Sequence, residues 1–96
     1  MMSEVIDKAV EALRAKLPDG FSSTAKFVIE DEGSIIADEN GVRAGDDEAE
    51  VVLTADRETF EGMLNGDVNP TAAFMSGKLK VDGSMGLAMQ LGAALA

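Results

Sequence analysis

The sequence predicts an α+β fold, with helical segments before and after a run of strands. Two observations carry that expectation. Apolar residues recur at helical spacing over 3–17, alternate strictly in stretches of 24–54, and return to helical spacing after Asp56. The connections inside the alternating stretch are short and rich in turn residues, as in hairpins. The chain has 96 residues, the size of one domain, expected here to span 1–96.

In the first helix Ile6, Ala9, Val10, Leu13 and Leu17 form an apolar stripe, and Lys8, Glu11 and Arg14 fall outside it. Ser3 is the candidate N-cap, Glu4 and Asp7 suit the first turn, and "PDG" at 18–20 ends the helix. In "TAKFVIE", 24–30, Ala25, Phe27 and Ile29 alternate with Lys26, Val28 and Glu30. "DEG" at 31–33 is a turn, "SIIAD" at 34–38 a second strand, and "ENG" at 39–41 a hairpin signal. Val42 to Ala44 read as a continuation of the second strand past a bulge, and "EVVLT" at 50–54 as a third strand. The short links predict an antiparallel meander over 24–54.

Helical spacing then places Phe60, Met63 and Leu64 on one face after Asp56, with Gly66 as the stop. A third helix starts with Asn69 as cap and Pro70 at its first position, and Gly77 ends it. In "KLKVD", 78–82, Leu79 and Val81 point one way and Lys78 and Lys80 the other, which predicts a fourth strand. The last segment, "GSMGLAMQLGAALA", reads as a fourth helix with one stripe of Leu87, Leu91 and Leu95 and another of Met85 and Met89. It carries no charge, whereas a surface helix normally keeps a charged face. It therefore needs apolar cover on more than one side.

Several chemistries are excluded by what the chain lacks. With no histidine and no cysteine, histidine-based triads, histidine metal sites, disulfides and thiolate chemistry are ruled out. Gly77-Lys78 is not a phosphate loop: Ala72 stands where the first glycine belongs, and Leu79 where a hydroxyl belongs. Asp38, Asn40 and Gly41 do not have calcium-loop spacing. Net charge is −10, and Glu30 to Glu50 holds nine acids against Arg43. Such a surface repels nucleic acid and anionic membranes, and reads as a solvated rim. Neither Tyr nor Trp is present, so bases find no stacking platform. The longest uncharged stretch, 83–96, is too short to span a bilayer, and the acidic start does not resemble a secretion signal. The expected setting is cytoplasmic, as a monomer or weak homodimer, with no catalytic group, cofactor or metal.

Four of the six methionines, Met63, Met75, Met85 and Met89, lie in the last 34 residues. Methionine fills irregular cores and lines adaptable apolar surfaces alike. The unpartnered side of the last helix favours a cavity or groove.

The order helix, strands, "TADRETFEGMLNG", "NPTAAFMSGKLKVDG" and an apolar C-terminal segment resembles the sterol-carrier-protein-2 family of lipid-binding domains. The similarity is closest over 50–91. Its most specific part is "AFMSGKLKVDG", which follows the family's Ala-Phe-x-x-Gly-Lys-(apolar)-x-(apolar)-x-Gly pattern. The resemblance implies a five-stranded mixed, mainly antiparallel sheet covered on one face by helices, with an apolar tunnel between. The fifth strand is then to be found within 41–54 or beyond Lys78. The resemblance further implies non-catalytic carriage of fatty acid, acyl-CoA or sterol. The expected wall is Phe60, Leu64, Phe74, Met75, Met85, Leu87, Met89 and Leu91, with Arg14, Lys26 or Arg57 near a lipid head. Two rivals remain. An acyl carrier has only faint support in "DGSM" at 82–85, where Gly83 interrupts the attachment motif and 24–54 reads as strands. A protein-interaction module or homodimer would bury the free side of 84–96 in another chain.

Overall fold

The computed structural model describes residues 4–95. Ser3, the candidate first cap, lies outside the described residues. Helix α1 spans Glu4–Lys16 and is followed by strands β1 (Ala25–Ile29), β2 (Gly33–Asp38), β3 (Gly41–Ala44) and β4 (Val51–Ala55). Helices α2 (Arg57–Asn65) and α3 (Pro70–Met75), strand β5 (Leu79–Gly83) and helix α4 (Met85–Leu95) complete the order. The five strands form one sheet in the order β3-β2-β1-β4-β5.

Sheet register explains the alternation. Phe27 sits opposite Ile35 on one side and Leu53 on the other, and Leu53 sits opposite Val81. Residues facing each other across a ladder share a face, so Phe27, Ile35, Leu53 and Val81 make one apolar surface. The helices pack there. Ile6, Ala9, Val10 and Leu13 of α1 belong to the same buried cluster as Phe27, Ile35 and Leu53, and so do Phe60 and Met63 of α2 and Leu91 and Leu95 of α4.

The antiparallel meander over 24–54 does not form. β1–β2 and β2–β3 are antiparallel, but β4 lies on the far side of β1 and runs parallel to it, with Ala25 opposite Val51. The segment 41–44 is a strand of its own, and it supplies the fifth. Short links usually join antiparallel neighbours, and a parallel crossover normally takes about a dozen residues or more. Here residues 45–50 make the crossing alone. They pass over the sheet face that the helices leave open. Ser34 Oγ donates to Gly45 O at 2.8 Å, Lys26 Nζ pairs with Asp46 Oδ1 at 3.0 Å, and a Cβ on Gly45 would stand 3.2 Å from Ile36 Cγ1. Ile36 is fully buried yet stands outside the main cluster, because this acidic segment covers it. "GDDEA" is therefore a strap across the sheet as well as a solvated rim.

The helix signals agree with the caps. Asp56 Oδ1 accepts from Thr59 N–H at 2.7 Å and opens α2, and Gly66 at φ 84° closes it. Asn69 Oδ1 accepts from Thr71 and Ala72 N–H, and Pro70 occupies the first turn of α3. Gly77 follows the C-cap Ser76 at φ 82°. Nothing crowds the position a Cβ would take there. The left-handed backbone is thus what calls for glycine, and no phosphate contact is needed to explain it. Lys78 is exposed immediately before β5.

Candidate functional site

The third helix is short and its cap decides where it starts. From Asn69 it projects Pro70, Thr71, Phe74 and Met75 over the end of the sheet. α4 returns across the same end and presents Met85, Ala88, Met89, Gly92, Ala93 and Leu95. The floor is Phe27, Leu53, Leu79 and Val81 from the sheet, with Met63 from α2. Between them is a cavity of about 490 Å³. Ligand pockets of drug-sized molecules fall in the same range, about 300–1,000 Å³. Asn69 and Thr71 bring the polar side chains of this wall, and among the described residues no charged side chain lines it.

The space is a groove open to solvent rather than a closed tunnel. Met75 is 80% exposed and Met89 73%, while Phe74 and Met85 are 40% and 46% exposed. Four large apolar side chains thus remain wet around one opening. Exposed apolar patches of this kind mark ligand grooves or contact surfaces.

The eight residues expected to form the wall divide evenly. Phe74, Met75, Met85 and Met89 line the groove. Phe60, Leu64, Leu87 and Leu91 do not. Phe60 is 1% exposed and stacks edge to face on Phe27 with ring centroids 5.7 Å apart, so it stands behind the floor. Leu64 packs beside it at a second hollow of about 230 Å³ between α1 and α2, whose wall also includes Lys8, Arg57 and Glu61. Leu91 is fully buried in the core, and Leu87 packs against that core. The reason is rotation around α4. Of its leucine stripe Leu87 and Leu91 turn to the core, Leu95 is buried in the core and also borders the groove, and the methionine stripe turns to the groove. Neither stripe bears a charge, so the sequence alone assigns both to the cavity.

The cations expected near a lipid head are also elsewhere. Arg14 Nε donates to Val42 O at 3.0 Å, Lys26 pairs with Asp46, and Arg57 Nε pairs with Glu61 Oε1 at 3.1 Å. The floor residues Phe27 and Leu53 are absent from the expected wall. Their inward alternation is the signal that finds them.

The profile of the SCP-2 sterol transfer family matches residues 4–96. The chain belongs to that family. Among solved structures, the sterol carrier protein 2 of Aedes aegypti, in complex with a C16 fatty acid (palmitate), aligns over 99% of this chain and 97% of its own. The TM-score is 0.79 at 21% identity, which establishes the shared SCP-2 fold. Curated relatives are longer. Hydroxysteroid dehydrogenase-like protein 2 of Xenopus laevis is 48% identical over 56 residues, 56% of this chain and 13% of that protein. Peroxisomal multifunctional enzyme A of Dictyostelium discoideum is 43% identical over 61 residues, 64% of this chain and 13% of that protein. The chain thus matches about an eighth of the length of these two relatives. Among the described residues no helix is long and apolar enough to cross a membrane, and no cluster of acids is arranged to hold a metal.

Proposed function

We propose that this SCP-2 family member binds and carries an apolar lipid in the groove between α3, β5 and α4, without catalysing a reaction on it. The carrying observation is the groove itself: about 490 Å³, with a wall of apolar side chains and no charged one among the described residues. Filling it with an acyl chain or ring system restores contacts that Met75 and Met89 lack, at roughly 0.8 kcal/mol per buried methylene. The A. aegypti relative, solved with palmitate, supports the same use of the fold. The dehydrogenases and multifunctional enzymes among the relatives carry much more chain than this one, and a role presenting lipid to such an enzyme is compatible with the carrier reading.

The test is saturable uptake of a fluorescent sterol or fatty acid, since the chain has neither Trp nor Tyr to report binding. Ligand at 100 times its Kd adds about 2.7 kcal/mol, which raises Tm by roughly 10 °C or more for a domain of this size. No uptake and no thermal shift with fatty acids, sterols or acyl-CoA would exclude the carrier. A second reading rests on the same exposed methionines, which a second copy of the chain would also cover. Sedimentation of lipid-free protein separates the two: a concentration-dependent dimer that lipid does not dissociate favours the interface.

A further inference from the structure

We infer that the groove selects lipids with an uncharged head, such as a sterol or a fatty alcohol, over ionised fatty acids. This rests on the carrier reading above and narrows it to a ligand class. The first support is the wall. No cation among its described residues stands ready for a carboxylate, and Asn69 and Thr71 supply its polar side chains. Both are exposed, so they sit at the rim.

The second support is where the cations have gone. Arg14 is bonded to the β3 backbone, and Lys26 and Arg57 are paired with Asp46 and Glu61. Lys80 lies between Leu79 and Val81 on β5, and both of those line the groove. Alternation along a strand therefore turns Lys80 to the other face of the sheet. Lys78 is exposed and is not among the residues that line the groove. A carboxylate at the rim would find no counter-charge among the described lining residues, on a protein whose net charge is −10.

The third support is hydrogen bonding. A hydroxyl both donates and accepts, and needs one partner of each kind. Asn69 uses its Oδ1 to cap α3, accepting from Thr71 N–H at 2.9 Å and Ala72 N–H at 3.1 Å. That fixes the amide and leaves Nδ2 as a donor without a partner among the described residues. The Thr71 hydroxyl is likewise free to accept. Together they match an alcohol head. Against a carboxylate they supply neutral donors only, the Asn69 amide and the Thr71 hydroxyl, and no charge.

The experiment is displacement of a bound fluorescent sterol at neutral pH by hexadecan-1-ol, methyl hexadecanoate and hexadecanoate, each below its aggregation limit. The alcohol and the ester should displace the probe, with hexadecanoate weaker by about tenfold or more. Thr71→Lys, on an exposed position, places a cation at the rim. It should strengthen hexadecanoate and, because the Thr71 hydroxyl is lost, weaken the alcohol, so the gap closes from both ends. Equal displacement by all three, or strongest displacement by the acid, overturns the head-group selectivity and leaves lipid carriage standing. An acid that gains nothing from Thr71→Lys overturns the missing counter-charge as its cause. Failure of the sterol probe and every competitor to bind removes the carrier reading itself.

Discussion

Helices α1 and α4 pack on the same face of one sheet, α1 over the β2–β3 side and α4 over the β4–β5 side. They solve the problem of covering it differently. α1 has one apolar stripe, buries Ile6, Ala9, Val10 and Leu13, and turns its charges to water. α4 has no charge, yet buries only Leu91 and Leu95 and leaves Met85 and Met89 largely exposed. The contrast extends along the chain. Residues 68–96 contain three charged side chains, Lys78, Lys80 and Asp82, and every other acid lies before them. The acidic part builds a closed core, and the nearly uncharged part builds an open groove. Apolar sequence and buried sequence are thus different things here: the most hydrophobic helix is the one whose second side is least covered.

Truncations on the two sides of α4 test this most strongly. Leu91 is fully buried, as is Leu13 of α1, and Leu91→Ala and Leu13→Ala should each cost about 2–5 kcal/mol in urea denaturation. Met89→Ala should cost under about 1 kcal/mol, because that residue is already 73% exposed. Its effect should appear instead in lipid uptake. A Met89→Ala loss as large as that of Leu91→Ala would mean that both sides of α4 are packed, and the contrast would fall.

The phenylalanines sharpen the same point. Phe60 and Phe74 are identical in chemistry but are 1% and 40% exposed. Phe60→Ala should cost about 3–5 kcal/mol, the range for a packed ring. Phe74→Ala should cost well below that and should weaken sterol uptake, since the ring borders the groove. Equal stability losses with unchanged uptake would count against a groove wall at Phe74. A smaller effect is expected at the edge of that wall. Asn69→Ala removes the α3 cap and should cost about 1 kcal/mol by thermal or urea unfolding.

The helices and their caps were legible in the sequence because their signals are local. Asn69, Pro70 and Gly66 act within one turn of themselves and stand where the sequence places them, while Asp56, expected only to precede α2, is its N-cap. Strand faces were legible as well, since Phe27, Leu79 and Val81 alternate as expected. The path between strands was not. Residues 45–50 carry no mark that distinguishes a hairpin loop from a strap over Ile36, and only the pairing of β4 with β1 decides it. The site was half legible for a related reason. Phe74, Met75, Met85 and Met89 are expected in the wall and line the groove, while Leu87 and Leu91 share their helix or their chemistry but turn to the core. Which of two apolar stripes meets the sheet depends on how α4 docks, and periodicity fixes only the angle between them.

Acid unfolding offers the finest probe of the two parts, because the carboxylates with lowered pKa lie on the acidic side of the divide. Arg43, through its paired hydrogen bonds, holds Asp38 below the ordinary value of 3.8, and Lys26 does the same for Asp46. At Asp56 the Thr59 backbone N–H is the main cause, followed by the Thr59 side chain. A carboxylate held low in the folded state contributes stability that is fully present above its ordinary pKa. That contribution is lost as pH falls through the lower, folded value. Stability should therefore decline below about pH 3.8 as these three groups take up protons. Asp56→Asn isolates one of them. Asparagine caps a helix about as well as aspartate but does not titrate. The variant should stay close to the parent at neutral pH and lose less on acidification, measured as the urea midpoint at each pH. Met89→Ala should follow the parent at every pH, since its groove wall contains no charged side chain among the described residues. If Asp56→Asn loses as much as the parent, the Thr59 cap does not hold that carboxylate low, and the acid sensitivity has another origin.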